Sequence, residues 1–391
     1  MKKVFALLIA LLMVMSVVAC APSTPDPEVP ESKKTEASTP EGSEDPAGSE
    51  DPGKKVYKVI HLINGNLGDK SFFDSAQAGL EKLAADGRIE LKYEEMGAAE
   101  SDHPRWQETL NEVAESGEYD LVVCGTYQMP DYLKDTATAY PDQKFAIYDD
   151  TTYVGENANV VNISYRQNDM GYILGVYAAA LTTVEGMDKI NPEKTVGFIG
   201  GMDSPVINDF LYGFLTGVKD TDPEVRVDAR YVNSYADTAT AKEMALSMIN
   251  DNKCDIIWGV AGLSGNGGAE AALESGKAWF FGVDSDQELT LPENQAAITL
   301  TSGLKNVGDS LIWLIDEWDS GRTHWGKEVN LGLLENGVGF VSDKNFKKYT
   351  PQDVQDKVLA AAEAVRNGEV KVPSAITDND GAIALREQMK P

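Results

Sequence analysis

The chain has few cysteines and few histidines, three of each in 391 residues. Positive charge is also scarce, because 34 Lys and Arg stand against 63 Asp and Glu, a formal net charge of −29. Nucleic-acid binding needs clustered Lys and Arg, so we expect no nucleic-acid partner. The histidines have no metal-ligand spacing, and no G-x-x-x-x-G-K-[ST] loop is present. We therefore predict no metal site and no ATP hydrolysis by this chain.

The cysteines differ in their surroundings. Cys124 and Cys254 each lie in a short apolar run in a different half of the chain, which predicts two buried free thiols rather than a disulfide framework. Cys20 instead follows Val17-Val18-Ala19 at the end of an apolar run that begins after Lys2 and Lys3.

This N-terminal pattern is typical of a secretory signal, and its apolar run is shorter than the roughly 20 residues of a spanning helix. A cysteine directly after a small residue resembles the bacterial lipobox, in which the thiol is lipidated. We predict a lipoprotein signal over residues 1–20 and lipidation of Cys20, which places the protein on the extracytoplasmic face of the cell membrane. The alternative is a plain signal peptide with an incidental cysteine.

Residues 21–55 are rich in proline, acidic residues, serine and glycine, and Val29 is their only large aliphatic residue. Such a segment cannot bury enough apolar surface to offset its conformational entropy, so we predict a disordered acidic tether. A low-complexity spacer with no specific role fits the same residues.

From residue 58 onward, short β-rich apolar runs alternate with amphipathic helices, which predicts parallel sheets covered on both faces. One series runs from a strand at 59–63 to a strand at 160–163, and a second from a helix at 168–182 to a strand at 279–283. A helix near Ser71 has the spacing of a capping box with Asp74. Two series of this length predict an α/β protein with two doubly wound parallel-sheet lobes.

Ligands of open α/β sheets bind beyond the carboxyl ends of the strands. Glycines, amides, carboxylates and aromatic residues follow these ends in both series, for example after the first strand at Asn64 and after the last at Asp284. Polar groups that fix a ligand and aromatic faces that stack on it are the requirements of a small-molecule site.

Six motifs make a more specific resemblance. They are, in order, Gly68-Asp-Lys-Ser-Phe72, Gly171-Tyr-Ile-Leu-Gly-Val-Tyr-Ala-Ala, Val196-Gly-Phe-Ile-Gly-Gly-Met-Asp-Ser-Pro205, Phe210-x-x-Gly-Phe-x-x-Gly217, Gly282-Val-Asp-Ser-Asp-Gln287 and Thr301-Ser-Gly-Leu-Lys305. From about residue 56 to residue 340, the chain resembles the basic membrane protein family, the purine-nucleoside-type substrate-binding lipoproteins of ABC transporters.

The resemblance implies a type I periplasmic-binding-protein fold, in which two lobes joined by three crossovers clamp a ligand between them. It places residues 56–164 and 287–325 in lobe 1, and residues 165–286 and 326–391 in lobe 2. It also implies a membrane permease and an ATPase as partners, and a small ligand, most of all a purine nucleoside.

By the same resemblance, Phe72 and Phe210 sandwich the base, although the helical spacing of Phe210 and Phe214 also fits core packing. Asp69 and Asp131 lie in loops at strand ends and can accept hydrogen bonds from the base. Asp69 can alternatively cap the helix that begins near Ser71.

Asp284 is expected to accept hydrogen bonds from the ribose hydroxyls. Lys305, expected at the start of a helix after the crossover, would donate to ribose oxygens or pair with Asp284. The alternative for Lys305 is an ordinary surface lysine.

The chain departs from the family at Phe73, where the family commonly has Asn after the stacking Phe. Phe73 either admits a larger aromatic ligand such as a flavin, or packs into the core while Gln128 or Asn66 recognises the base. The segment that begins at Gly262 lacks the G-x-G-x-x-G spacing, so we expect it to approach a ligand or the other lobe, and we expect no cofactor.

Three other functions are alternatives to nucleoside binding. A nucleoside-processing enzyme needs positioned acids, bases or metals, and the three histidines lie in unrelated segments. A sugar receptor of the same fold also uses aromatic residues, Asp and Asn at strand ends. A transcriptional regulator is excluded by the signal peptide and by the lack of a basic helix-turn-helix segment before residue 56.

Overall fold

A computed structural model of the chain describes residues 55–151 and 157–391. The predicted signal, Cys20 and all of the predicted tether except Lys55 lie outside these residues. In the described part, no helix is long and apolar enough to cross a membrane.

Twelve strands and thirteen α-helices alternate along the described chain. The strands are β1 (Tyr57–Ile63), β2 (Ile89–Glu95), β3 (Leu121–Gly125), β4 (Phe145–Tyr148), β5 (Val160–Tyr165), β6 (Thr195–Gly200), β7 (Arg226–Tyr231), β8 (Cys254–Val260), β9 (Trp279–Asp284), β10 (Thr299–Lys305), β11 (Lys327–Leu331) and β12 (Val338–Phe340). The helices are α1 (Phe72–Ala85), α2 (His103–Ser116), α3 (Pro130–Ala139), α4 (Gln167–Thr182), α5 (Pro205–Thr221), α6 (Thr238–Asn250), α7 (Asn266–Ser275), α8 (Gln287–Thr290), α9 (Glu293–Ala296), α10 (Val307–Asp319), α11 (Lys344–Tyr349), α12 (Gln352–Arg366) and α13 (Asn379–Met389).

The strands form two six-stranded sheets, in the orders β11-β5-β4-β3-β1-β2 and β12-β10-β9-β8-β6-β7. All neighbouring strands are parallel except β10 and β12. We call the first sheet with α1, α2, α3 and α10 the first lobe, and the second sheet with the remaining helices the second lobe. The chain passes between the sheets after β5, after β10 and after β11, which confirms a two-lobe periplasmic-binding-protein fold.

The sheet order corrects the expected assignment of two strands. We expected residues 287–325 in lobe 1, but β10 pairs with β9 in the second sheet. We expected residues from 326 onward in lobe 2, but β11 pairs with β5 in the first sheet. The reason is that local apolar pattern marks a segment as a strand, whereas the choice of sheet depends on pairing partners distant in sequence.

Helices cover both faces of each sheet, as the alternation predicted. In the first lobe, α1 and α10 pack on one face, and Trp106 of α2 and Leu133 of α3 pack on the other. In the second lobe, α6 and α7 cover one face, and α4 and α5 the other. Cys124 and Cys254 are both buried and free, which confirms that prediction.

The glycines of two quoted motifs form the crossing of α4 and α5. A Cβ atom at Gly171 or Gly175 would collide with the backbone of Phe210 or Phe214, so only glycine allows the two helices to approach this closely. Gly213 meets the backbone of α4 in the same way. This crossing fixes α5, which carries Phe210, against a helix in which every residue except Asp169 is buried.

Candidate functional site

A cavity lies between the carboxyl ends of the strands of the two sheets. Residues that follow β1, β3 and β4 line it from the first lobe. Residues that follow β7 and β8, the last residues of β9 and β10, and the first turns of α5 line it from the second lobe. The position agrees with the rule that ligands of open α/β sheets bind beyond the carboxyl ends of the strands.

Phe72 and Phe210 reach this cavity from opposite lobes. Phe72 is the first residue of α1, and its ring lies 5.5 Å from that of Tyr148. Phe210 is 2% exposed, and its ring lies 6.1 Å from that of Trp258 at an interplanar angle of 67°. Phe210 therefore packs into the core and also forms part of the cavity wall, whereas its stacking on a base stays a prediction.

Asp69 lines the cavity and also caps α1. Its carboxylate accepts hydrogen bonds from the backbone N–H groups of Ser71 at 3.0 Å, Phe73 at 2.9 Å and Asp74 at 3.2 Å. The predicted capping box is wrong, because the hydroxyl group of Ser71 makes no capping hydrogen bond. Burial raises the pKa of Asp69, while the three N–H donors oppose this rise. Asp69 thus has limited capacity left for a ligand.

Asp284 ends β9 at the cavity wall and receives no hydrogen bond from any residue in the described segments. Burial raises its pKa to about 7, although the nearby charge of Lys305 lowers it. Asp284 is 8% exposed, so its free oxygens face the cavity rather than bulk solvent. Such a carboxylate can accept two hydrogen bonds from a bound molecule.

Lys305 lines the cavity, but its position differs from the expected one. It ends strand β10 instead of starting a helix, and it is 2% exposed, which excludes an ordinary surface lysine. Its Nζ lies 2.6 Å from Oδ1 of Asp149 in the first lobe, so its hydrogen-bonded partner is Asp149 rather than Asp284. The Nζ atom also lies 4.5 Å from the ring centroid of Phe210 and 5.7 Å from that of Phe72.

Phe73 is half-buried and lines the cavity beside Phe72, with the two ring centroids 5.1 Å apart at an interplanar angle of 73°. Phe73 also packs against the hydrophobic core, so it combines features of both alternatives. Gln128 and Asn66, the expected substitutes for the missing family Asn, line the same cavity.

Of the two remaining expected site residues, Gly262 lines the cavity and Asp131 does not. Gly262 lines the cavity at φ +53°, and Asn266 of the same segment donates from Nδ2 to the backbone oxygen of Asp69 in the other lobe at 3.4 Å. Asp131 lies in the first turn of α3, is exposed and lies outside the cavity wall, so it is not part of this site. The reason is that Met129-Pro130 starts a helix, which directs Asp131 away from the strand end.

Sequence reasoning placed Asn64 and Tyr127 in strand-end segments without giving either residue a role, and it missed Tyr235 as a wall residue. Asn64 directly follows β1 and donates from Nδ2 to Oγ1 of Thr126 at 2.7 Å, which leaves its Oδ1 atom buried without a partner in the described chain. Tyr127 and Tyr235 are in hydrogen-bonding contact through their hydroxyl groups, 3.1 Å apart. Their places after β3 and β7 were a usable signal, whereas the contact between them depends on how the lobes meet.

The two lobes touch at the rim of the cavity. Tyr127 bonds to Tyr235 on one side, and Ser285 and Thr290 both donate from their hydroxyl groups to the backbone oxygen of Lys70 on the other, at 2.8 and 3.0 Å. Because these hydrogen bonds join different lobes, the structure represents the molecule with its cleft closed.

Two doubly wound lobes, three connections and a polar and aromatic cavity at the facing strand ends define a two-lobed ligand-binding protein. A sequence model of the family described as "ABC transporter substrate-binding protein PnrA-like" matches residues 56–375. The chain belongs to this family and is a substrate-binding protein of the basic membrane protein type, as the motifs predicted.

Individual relatives agree with this assignment. Basic membrane protein A of Borreliella burgdorferi is 30% identical over 326 residues, which cover 82% of this chain and 89% of that protein. The CD4+ T-cell-stimulating antigen of Listeria innocua is 30% identical over 387 residues, 95% of this chain and 99% of that protein. An ABC transporter solute-binding protein of Aeropyrum pernix superposes with a TM-score of 0.72 at 25% identity, over 85% of this chain and 99% of that one.

Proposed function

We propose that the protein captures a purine nucleoside between its lobes and delivers it to the permease and ATPase subunits of an ABC importer. The observation that carries the proposal is the Asp284 carboxylate, which is buried, accepts no hydrogen bond from the residues that the structure describes, and lies in an aromatic-walled cavity. A ribose offers two neighbouring hydroxyl groups, and one carboxylate can accept from both of them.

The base would lie against Phe72 and Phe210. Offset stacking of aromatic rings contributes about 0.5–1.5 kcal/mol per pair beyond the burial of area. The free Oδ1 atom of Asn64 supplies a buried acceptor for an N–H group of the base, and Gln128 can donate and accept at the same wall. Together these groups match a flat ring with a hydrogen-bonding edge.

Riboflavin is the second candidate, and Phe73 is the observation that favours it. A third aromatic side chain next to Phe72 extends the apolar wall where the family commonly has an amide. A larger ring system would gain contact area there.

A carbohydrate transporter solute-binding protein of Agrobacterium radiobacter in complex with D-arabinose shares the fold, with a TM-score of 0.53 at 16% identity. That likeness concerns the fold alone.

Isothermal titration with guanosine, inosine, adenosine, riboflavin and galactose separates these candidates. We expect binding of at least one purine nucleoside, and loss of that binding in Asp284→Ala. The matched control is Asp131→Ala, which changes an exposed aspartate outside the cavity and should leave the affinity unchanged. Binding of riboflavin or galactose with no response to any purine nucleoside would refute the nucleoside proposal and leave the two-lobed fold intact.

We also propose that the ligand is released unchanged, as transport requires. Native mass spectrometry of protein purified without added ligand, followed by denaturation and analysis of the released compound, tests this directly. An intact nucleoside after prolonged incubation supports a binding protein. Recovery of free base and ribose from the wild type, absent in Asp284→Ala, would indicate a nucleoside-processing enzyme instead.

The signal pattern supports a lipid anchor at Cys20 on the extracytoplasmic face of the cell membrane. Wild-type protein should fractionate with membranes, whereas Cys20→Ser should appear in the soluble fraction. Fully soluble wild-type protein that begins at residue 21 or later would contradict the anchor.

A further inference from the structure

A short loop of the first lobe accepts hydrogen bonds from the second lobe. The loop consists of residues 68–71, which lie directly before α1, and we call it the acceptor loop. The hydroxyl groups of Ser285 and Thr290 both donate to the backbone oxygen of Lys70, at 2.8 and 3.0 Å. Both donors belong to the second lobe, because Ser285 follows β9 and Thr290 ends α8. One carbonyl group thus uses both of its lone pairs to join the lobes.

The acceptor loop is held in place by the first lobe alone. The Asp74 carboxylate accepts hydrogen bonds from the backbone N–H groups of Gly68 at 2.7 Å and of Lys70 at 2.9 Å. The Asp69 carboxylate accepts one from the backbone N–H group of Ser71 at 3.0 Å. Lys70 has φ +59°, a conformation that non-glycine residues seldom adopt. Because none of these hydrogen bonds involves the second lobe, the loop presents its carbonyl oxygens in fixed positions before the lobes meet.

A third donor of the second lobe reaches the same loop. Nδ2 of Asn266 donates to the backbone oxygen of Asp69 at 3.4 Å. Nε2 of Gln287 donates to Oδ1 of Asn266 at 3.2 Å, which orients this amide group toward the first lobe. The Asn266 hydrogen bond is the longest of the three, so we assign the larger effect on closure to the two hydroxyl groups.

The two hydroxyl donors lie outside the wall of the ligand cavity, unlike Tyr127 and Tyr235, which form the other hydrogen bond between the lobes. Within the part of the chain that the structure describes, the hydroxyl groups of Ser285 and Thr290 make no other hydrogen bond. Removing them therefore changes the contact between the lobes and leaves the cavity wall unchanged. Ser285 is half-buried and Thr290 is exposed, so water competes more strongly with the hydrogen bond of Thr290.

The acceptor loop leads directly into the ligand site. Phe72 follows it as the first residue of α1 and lines the cavity. The Asp69 carboxylate accepts from the backbone N–H groups of Ser71 and Phe73, the residues on either side of Phe72. The hydrogen bonds that fix the loop therefore also fix Phe72, so ligand contact and lobe closure act on one rigid segment.

We propose that Ser285 and Thr290 are positioning residues that hold the cleft closed and set how slowly a bound ligand leaves. The inference rests on the proposed function in that a ligand is captured between the lobes, but it does not depend on which ligand. Hydrogen bonds that join different lobes form only in the closed state, so they favour that state. The apparent affinity falls with the fraction of protein in the state that retains the ligand.

The first test measures binding rates for Ser285→Ala, Thr290→Val and the double variant by stopped-flow fluorescence with inosine. We expect the double variant to release inosine about tenfold faster, because two hydrogen bonds of the closed state are lost. The association rate constant should change less than twofold, since these bonds form after the encounter. Ser285→Ala should have a larger effect than Thr290→Val. An unchanged release rate in the double variant would overturn the proposal.

The free base hypoxanthine and a matched pair of substitutions separate closure from other effects. Hypoxanthine release should accelerate by the same factor as inosine release, whereas acceleration of inosine alone would mean contact with the ribose and would overturn the proposal. The control combines Ser320→Ala with Thr221→Val, which removes two hydroxyl groups that each donate to a backbone oxygen of their own lobe at 2.8 Å. The control should release both compounds as the wild type does. Equal acceleration in the control would assign the effect to general loosening.

A ligand-free measurement keeps the inference separate from the proposed ligand. Spin labels at Glu108→Cys and Glu243→Cys, exposed positions on α2 and α6, report the distance between the lobes by pulsed electron paramagnetic resonance. Cys20→Ser removes the remaining accessible thiol, because Cys124 and Cys254 are buried. The ratio of closed to open molecules should fall about tenfold in the double variant. Identical distance distributions with and without the two hydroxyl groups refute the inference, whereas a shifted distribution in a protein that does not bind inosine refutes only the proposed ligand.

Discussion

Phe72 and Phe210 reach the same cavity from two helices that are held in place by different contacts. α1 starts at Phe72, and the Asp69 side chain fixes its first turn through three backbone N–H groups. It then crosses α10, where Gly79 meets the backbone of Gly308 and Gly308 meets the backbone of Ser75. The position of Phe72 therefore depends mainly on the loop directly before it.

α5 shows the opposite arrangement. Phe210 lies in its second turn, and the helix crosses α4 at two glycines on each helix, Gly171 and Gly175 facing Gly213 and Gly217. The N-cap hydrogen bond of α5 is long, at 3.5 Å. The position of Phe210 therefore depends on tertiary packing. Two aromatic residues of one site are therefore positioned differently: Phe72 by capping of its own helix in the first lobe, and Phe210 by helix packing in the second.

The largest effect is expected from the two phenylalanines. Phe210→Ala should lower the free energy of unfolding by about 3–5 kcal/mol, because it removes a buried ring that packs on Trp258. Phe72→Ala should instead weaken nucleoside and free base alike by about 1–3 kcal/mol, with a smaller loss of stability. Urea unfolding of both variants measures the loss of stability, and calorimetric titration measures the loss of affinity. Equal stability losses would remove the contrast between the lobes.

The helix crossing in the second lobe gives the next prediction. Gly213→Ala places a Cβ atom against the backbone of Asn168 and should cost about 2–4 kcal/mol of stability. Gly339→Ala is the matched control, because a Cβ atom there meets no other atom within 4 Å. Thermal unfolding of both variants compares their losses of stability. A Gly213→Ala protein as stable as its control would show that α4 and α5 can separate at no cost.

The contribution of Asp284 to the free energy of unfolding depends on pH. Burial raises the pKa of Asp284 to about 7, above its value in the unfolded chain, so the folded state holds this proton more tightly. The stability due to this group is therefore full at low pH and is lost as pH rises through about 7. Asp284→Asn should gain about 2–3 kcal/mol relative to wild type between pH 5 and pH 8.

Urea unfolding at the two pH values measures this gain, because carboxylates that do not interact with Asp284 are present in both proteins and cancel in the difference. A constant difference between Asp284→Asn and wild type would mean that Asp284 is ionised at both pH values.

The smallest effect concerns the helix caps. Asp69→Ala should cost about 1–2 kcal/mol of stability, because three backbone N–H groups lose their acceptor. Ser204→Ala at the start of α5 should cost less, since its single capping bond is 3.5 Å long. Parallel urea titrations compare the two. A larger loss in Ser204→Ala would reverse the assignment of local capping to the first lobe.

The amino-acid sequence by itself determined the local structure and most of the site. Alternating apolar runs predicted the strands and helices because side-chain periodicity and burial are local properties. The carboxyl ends of the strands then brought Asp69, Phe72, Phe73 and Asp284 to the predicted edge, because parallel strands end at a common edge.

Only the tertiary structure decided which groups meet. The sheet membership of β10 and β11 depends on pairing with strands far away in sequence. The pairing of Lys305 with Asp149 instead of Asp284 depends on the approach of two lobes, and no spacing in the sequence encodes it. Asp131 was misplaced because a helix start rotates a residue out of the loop. Contacts between distant segments are set by packing of the whole molecule, which local patterns do not specify.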